Sequence, residues 1–152
     1  LRQKDSNSNV ILKKTDLDLS DVNAIKINPE EGQNIVSGSH DEMMLALQKK
    51  GIEYVLLTNK VDVSLLVKNR VYSLKLPNKT VHDTTGIGDI FCSAFTCTML
   101  KEKDFLWALC FAAGSAQAAL ESNNVGLQKI PKKGMVENNA SYFYNLVDFR
   151  DL

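Results

Sequence analysis

The rhythm of apolar and polar positions changes several times along this chain, and each change predicts an element. The first twenty residues are mostly polar. Their one apolar run, Val10-Ile11-Leu12, predicts at best an edge strand. Ala24-Ile25-Lys26-Ile27 predicts a short strand that stops at Asn28-Pro29. Residues 30–36 predict a short helix, with Pro29 near its first turn and acids beside its positive end. Ser39 is placed to cap a helix over residues 40–50, and Gly51 is its natural stop. Ile52 to Thr58 is nearly all apolar, the pattern of a buried strand. Residues 61–67 and 70–76 predict two further strands, with Asn59-Lys60 and Lys68-Asn69 as hairpin turns, since asparagine tolerates the left-handed region.

Pro77-Asn78-Lys79 breaks the pattern, and Thr80-Val81 leads into a glycine-containing loop. Residues 88–100 are apolar nearly all round, which predicts a buried helix. Asp104 is placed to cap the next helix, residues 105–121. Its small residues Ala112, Ala113, Gly114 and Ser115 permit close approach of a neighbour or ligand. A polar loop, residues 122–133, carries Pro131. A last amphipathic helix is expected over 135–149, with Tyr142, Phe143 and Tyr144 covering a sheet and Trp107, Phe105 and Phe111 in the core. The order is strand, two helices, three strands, then helices. It predicts an α/β fold with a mixed sheet covered by helices on its faces.

Composition narrows the partners. The 18 basic and 18 acidic residues balance, so no broad basic field points to nucleic acid or an anionic membrane surface. No apolar run approaches the roughly 18 residues of a membrane span. The polar start, Leu1-Arg2-Gln3-Lys4-Asp5, does not read as a signal peptide and has no methionine, so further residues are expected upstream. Cys92, Cys97 and Cys110 all fall in apolar helical pattern, without CxxC or Cys/His spacing. They are expected to be buried reduced thiols, which favours a cytoplasmic setting.

The candidate chemistry lies in Thr85-Gly86-Ile87-Gly88-Asp89. Glycines let successive backbone N–H groups turn toward one point. Together with a helix N-terminus, such groups form an anion hole. Asp89 would stand in the first turn of that helix, an ionised carboxylate beside the hole. The pair suits phosphoryl transfer: the carboxylate takes a proton as a hydroxyl attacks, while the N–H groups hold charge on the transferred group. The plain alternative is a tight turn before a buried helix, with Asp89 only a helix-terminal charge. His82 and His40 are expected at a strand end and a helix start rather than in catalysis.

The longer string Asp83-Thr84-Thr85-Gly86-Ile87-Gly88-Asp89-Ile90-Phe91 closely resembles the C-terminal signature of the ribokinase-like (PfkB) carbohydrate kinases, departing only at Ile87, where alanine is usual. Asn28-Pro29-Glu30-Glu31 resembles the family's Asn-x-x-Glu motif, at a similar distance upstream. Val55-Leu56-Leu57-Thr58 resembles the family strand that reaches the nucleotide, although Asn59-Lys60 replaces the usual glycine-containing turn. Ala112-Ala113-Gly114 falls where the family places small residues, and often an asparagine, near adenine; this triplet has none. Val125-Gly126 to Pro131 reads as the later Gly-Ala-x-x-x-x-Pro pattern.

The likeness runs from about Ala24 to Pro131 and implies a three-layer α/β/α sandwich. Residues 1–152 would then be the ATP-binding, catalytic C-terminal part of one domain of about 300 residues. The N-terminal half and the lid, through which dimers in the family often form, would lie outside the chain. The resemblance implies an ATP- and Mg²⁺-dependent kinase acting on a hydroxyl of a sugar or sugar-like polyol. Asp89 would be the general base; Gly86, Ile87 and Gly88 the anion hole, shaped by Thr84 and Thr85. Asn28 and Glu31 would position phosphates and magnesium, Glu31 through water, and Thr58 would border the nucleotide. A nucleoside, inositol or other small-molecule kinase of the family stays open. So do a non-catalytic nucleotide-binding protein and a fragment inactive by itself.

Overall fold

The computed structural model describes residues 2–7, 10–12, 18–77, 84–122, 124 and 126–152. His82, Asp83, Val125 and the stretch leading into the glycine loop lie outside them. The chain divides into two compact units, residues 1–73 with 149–152, and residues 74–148.

The first unit opens with β1 (Arg2–Lys4) and β2 (Val10–Leu12), an antiparallel pair in which Gln3 faces Ile11. β3 (Ala24–Ile27) then runs parallel to β4 (Tyr54–Thr58). The crossover between them carries α1 (Pro29–Gln33) and α2 (His40–Lys49). β5 (Asp62–Val67) returns antiparallel to β4, and β6 (Arg70–Lys75) and β7 (Asp148–Asp151) complete a mixed sheet in the order β3-β4-β5-β6-β7.

Alternation of side chains decides what this sheet buries. Ile27 faces Leu57 across β3 and β4, and Val55 faces Leu66 across β4 and β5. These residues form one core with Met43, Met44 and Leu47 of α2, which packs on β4 and β5. Leu56 and Leu65, paired on the opposite face, are buried too, which explains why β4 reads as a continuous apolar run.

Local chemistry sets the ends. The Ser39 hydroxyl accepts from Glu42 N–H, while the Glu42 carboxylate accepts from Ser39 N–H, a reciprocal cap for α2. Lys68 and Asn69 both take positive φ, 48° and 63°, the two-residue turn whose twist suits a hairpin.

The second unit contains α3 (Ile87–Glu102), α4 (Phe105–Glu121), a 3-10 turn (Gly126–Lys129) and α5 (Lys133–Tyr144). Asp104 caps α4, its carboxylate accepting from Leu106 and Trp107 N–H at 2.9 and 3.0 Å. α4 packs against both α3 and α5. Its small residues serve the approach of α5: a Cβ on Gly114 would stand 2.9 Å from the Val136 carbonyl and 3.0 Å from the Ala140 nitrogen.

Three expectations are corrected here. The helix buried all round is α4. α3 buries Phe91, Phe95 and Thr98 but exposes Cys92, Ser93, Thr96, Cys97 and, at 77%, Leu100. Its composition records how apolar it is, whereas its exposure depends on how many neighbours pack on it. The last helix stops at Tyr144, and residues 148–151 form β7 instead of a further helical turn. That strand is held by Arg70 Nε donating to Asp151 Oδ1 at 2.6 Å, Leu152 N–H donating to Asn69 O, and the Arg70 guanidinium lying 5.1 Å from the Phe149 ring centre. Of the three aromatics expected to cover the sheet, only Phe143 is buried; Tyr142 and Tyr144 are exposed, and α5 packs against α4.

The cysteines also divide. Cys92 and Cys97 are exposed, against expectation, and Cys110 is buried. Burial, with the nearby Asp104 charge adding, pushes the Cys110 thiol up to about 12. The thiolate is the reactive form. Iodoacetamide at neutral pH should therefore modify Cys92 and Cys97 in the folded 152-residue chain and reach Cys110 only after denaturation. Peptide mass spectrometry checks this, and native labelling of Cys110 would contradict the packing of α4.

Candidate active site

The glycine loop begins with Thr84 and Thr85, both exposed. Gly86 follows with φ 77° and ψ −5°, in the left-handed region, and stands as the N-cap of α3 without a capping side chain. A Cβ at Gly86 would meet nothing within 4 Å. Among the described residues, then, it is backbone conformation and not crowding that calls for glycine here. Gly86→Ala should cost about 1–2 kcal/mol, the strain of a left-handed alanine, with no steric contribution. Denaturant midpoints measure it; an unchanged midpoint would mean the loop relaxes out of this conformation.

Beyond Gly86 the chain turns at once into helix. Ile87 N–H donates to the Thr84 carbonyl at 3.3 Å, a long bond, and Asp89 and Ile90 N–H both donate to the Gly86 carbonyl. Gly88 N–H, in the first turn, has no carbonyl four residues back inside the helix. Asp89 is exposed in that first turn, near the partial positive charge of a 16-residue helix. Behind the loop stands a group that the sequence reading did not single out. The Nζ of Lys129, in the 3-10 turn, donates to the Thr85 carbonyl at 3.4 Å.

In the first unit, Asn28 and Thr58 follow directly from the paired residues Ile27 and Leu57, at the carboxyl ends of neighbouring parallel strands. Such ends are where open α/β sheets collect their ligands. The Thr58 hydroxyl donates to the Ile27 carbonyl at 3.4 Å. Asn28 and Glu31 form a capping box on α1: Asn28 Oδ1 accepts from Glu31 N–H at 2.7 Å, and Glu31 Oε2 accepts from Asn28 N–H at 3.0 Å. This reciprocal cap by itself requires Asn and Glu at a spacing of three. The same spacing is therefore accounted for by the helix start, beside its resemblance to the family motif.

The turn after Thr58 is closed by its own side chain. Asn59 Oδ1 accepts from Val61 and Asp62 N–H at 2.8 and 2.9 Å, and Asn59 Nδ2 donates to Asp62 Oδ1 at 2.6 Å. Lys60 is exposed in that turn, and His40 opens α2 as expected. Ala112, Ala113 and Gly114 are buried in α4.

An open hollow in the second unit is lined by Asp104, Trp107, Ser141, Tyr144 and Asn145. It lies beyond the opposite end of α3 from Asp89, and the 16 residues of α3 span on the order of 24 Å. The hollow is therefore unrelated to the glycine loop. No group of three or more His, Cys, Asp or Glu side chains gathers around a metal position among the described residues, and none of their helices is long and apolar enough to cross a membrane.

A mixed sheet, parallel strands that end beside a capped helix start, and a glycine loop opening a long helix define an α/β protein with features suited to phosphate. The family follows from comparison: the model of the pfkB family of carbohydrate kinases matches residues 3–133, and the chain belongs to that family. No curated protein sequence matches it.

Among solved structures it is similar to ribokinase from Thermotoga maritima, with a TM-score of 0.69 and 19% identity over 78% of this chain and 42% of that one. Arabidopsis thaliana ribokinase, complexed with ribose and ATP, gives 0.67 and 21% over 80% and 42%. A pyrophosphate-dependent myo-inositol-1 kinase converted into a myo-inositol-3 kinase gives 0.72 and 17% over 91% and 50%. The chain thus has the ribokinase-like fold and spans half or less of the length of these structures.

Proposed function

We propose that residues 1–152 are the catalytic, nucleotide-side portion of an ATP-dependent kinase that phosphorylates a hydroxyl of a sugar or sugar-like polyol. The observation that carries this reading is Asp89, exposed in the first turn of α3 directly behind a left-handed Gly86. In the proposed step, the Asp89 carboxylate receives the acceptor's hydroxyl proton as that oxygen bonds to the γ-phosphorus. The bond from phosphorus to the β-phosphate oxygen breaks, and ADP leaves. The N–H groups of Gly86, Ile87 and Gly88 hold the charge on the transferred group; for Ile87 this means exchanging the long bond to Thr84 for a phosphoryl oxygen. Thr84 and Thr85 shape the loop, and Thr58 borders the nucleotide.

Magnesium would neutralise charge on the phosphates. The donor chemistry suits it: Glu31 is a half-buried carboxylate whose hard oxygens are of the kind Mg²⁺ takes, and Asn28 N–H holds its Oε2 at 3.0 Å. Mg²⁺ keeps most of its waters. Asn28 and Glu31 would therefore hold it and the phosphates through water, without a dedicated protein cage.

The test uses the protein in its natural length, so its intact mass comes first. A mass near 16.9 kDa would mean a truncated domain that needs its other half before any assay, and one near twice that would mean a whole kinase ready for the acceptor panel. Nucleotide consumption is then followed with Mg²⁺ against sugars, polyols, nucleosides and inositols, with pyrophosphate as an alternative donor. Consumption that depends on a sugar or polyol supports the proposal, whereas selective use of a nucleoside or inositol transfers the same chemistry to another acceptor class. The closed Asn59 turn favours a second reading, a non-catalytic nucleotide-binding protein, because the N–H groups of Val61 and Asp62 are already taken. Nucleotide binding without any acceptor-dependent turnover would establish that reading.

A further inference from the structure

Three buried polar or charged residues stand out among those described: Thr98, Ser115 and Lys129. Ser115 is accounted for by its own helix, its hydroxyl donating to the Phe111 carbonyl. Lys129 is the charged one, only 4% exposed. Lysine is rarely buried to this degree unless its ammonium is engaged, because desolvating the charge is costly. Its Nζ reaches the Thr85 carbonyl at 3.4 Å, 44 residues back along the chain.

The carbonyl it reaches matters. Thr85 C=O and Gly86 N–H belong to one peptide unit, which is planar and trans, so the two groups point in opposite directions. A carbonyl drawn toward the Lys129 ammonium turns the Gly86 N–H away from Lys129. Gly86 sits in the left-handed region with no Cβ contact to restrain it. A glycine peptide otherwise has more freedom to rotate than any other. A hydrogen bond from a charged donor adds a restraint to that peptide, a modest one at 3.4 Å.

We propose that Lys129 is a positioning residue for the glycine loop: by binding the Thr85 carbonyl it sets the Thr85–Gly86 peptide plane and aims the Gly86 N–H at the transferred phosphoryl group. The second half of this statement rests on the reading of the loop given under Proposed function. The first half stands on geometry alone. In this proposal Lys129 acts through the Thr85 carbonyl that its Nζ reaches, not on a reacting atom.

The test compares Lys129→Met, Lys129→Arg and the parent protein at natural length. Methionine matches the stem of lysine without charge or donor, and replacing a buried charge by an apolar side chain is commonly tolerated. Should that variant fail to fold, Lys129→Gln replaces it. The first readout is amide exchange of the segment 86–89. Loss of this long bond should speed it by about two- to tenfold. Arginine should restore at least part of the protection. The second readout is turnover: kcat should fall by about tenfold while the acceptor KM stays within about twofold.

Unchanged exchange in Lys129→Met overturns the tether, whatever activity does. Faster exchange with unchanged kcat overturns the aiming role. Faster exchange in a protein with no acceptor-dependent turnover supports the tether and overturns the kinase reading, so the two failures are distinct.

Discussion

Asp89→Asn is expected to lower acceptor-dependent turnover by about 10²–10⁴-fold while leaving nucleotide binding intact. The amide has nearly the shape of the carboxylate but cannot take a proton. Asp89 is exposed in the first turn of α3, outside the buried stripe of Phe91, Phe95 and Thr98. The substitution should therefore leave the packing of α3 on α4 undisturbed, and the melting temperature should move little. Stopped-time assays with Mg-ATP and the acceptor identified by the panel measure the turnover, and calorimetric titration with a nucleotide measures binding. Retained turnover would remove Asp89 from the base role. A loss of nucleotide binding equal to the loss of turnover would make Asp89 a binding residue instead.

The same loop shows what the sequence could and could not convey. Gly86 and Gly88 announce a backbone that must turn sharply, and the apolar run behind them announces a helix. Both follow from local chemistry, and both are present. The cap at Asp104, the cap at Ser39 and the hairpin at Lys68-Asn69 were legible for the same reason: each is settled within four residues. Lys129 was not legible. Its neighbours Gln128 and Ile130 are both exposed, and its burial comes with a contact spanning 44 residues.

The exposure of α3 is not legible for a related reason. Hydrophobicity shows what a helix could bury, whereas the number of faces it does bury is decided by partners distant in sequence. The C-terminal strand was missed because its pairing energy comes from β6, about 80 residues earlier, and Asp148-Phe149-Arg150-Asp151 is too short and too polar to announce a strand. The Asn59 turn is closed by its own side chain, a contact settled within three residues.

The largest expected stability effect lies away from the candidate site. Phe143→Ala should cost about 3–5 kcal/mol, the range for emptying a buried aromatic position. Phe143 is 0% exposed in the last turn of α5, between Tyr142 at 60% and Tyr144 at 45%. The cost should sit toward the upper part of the range because α4 and α5 cannot close over the gap. At Gly114 the two backbones are already so near that even a Cβ would stand 2.9 Å from the Val136 carbonyl. Asn139 Nδ2 further ties α5 to the Gly114 carbonyl at 3.3 Å. Helices already in backbone contact have no room to collapse, so a cavity would remain and its lining would lose its dispersion contacts. Tyr142→Ala on the exposed face is the control and should stay within about 0.5 kcal/mol. Urea midpoints of the two variants decide the matter. A loss below about 1 kcal/mol for Phe143→Ala would mean that α5 repacks freely on α4, and that the close approach at Gly114 does not fix the helix pair.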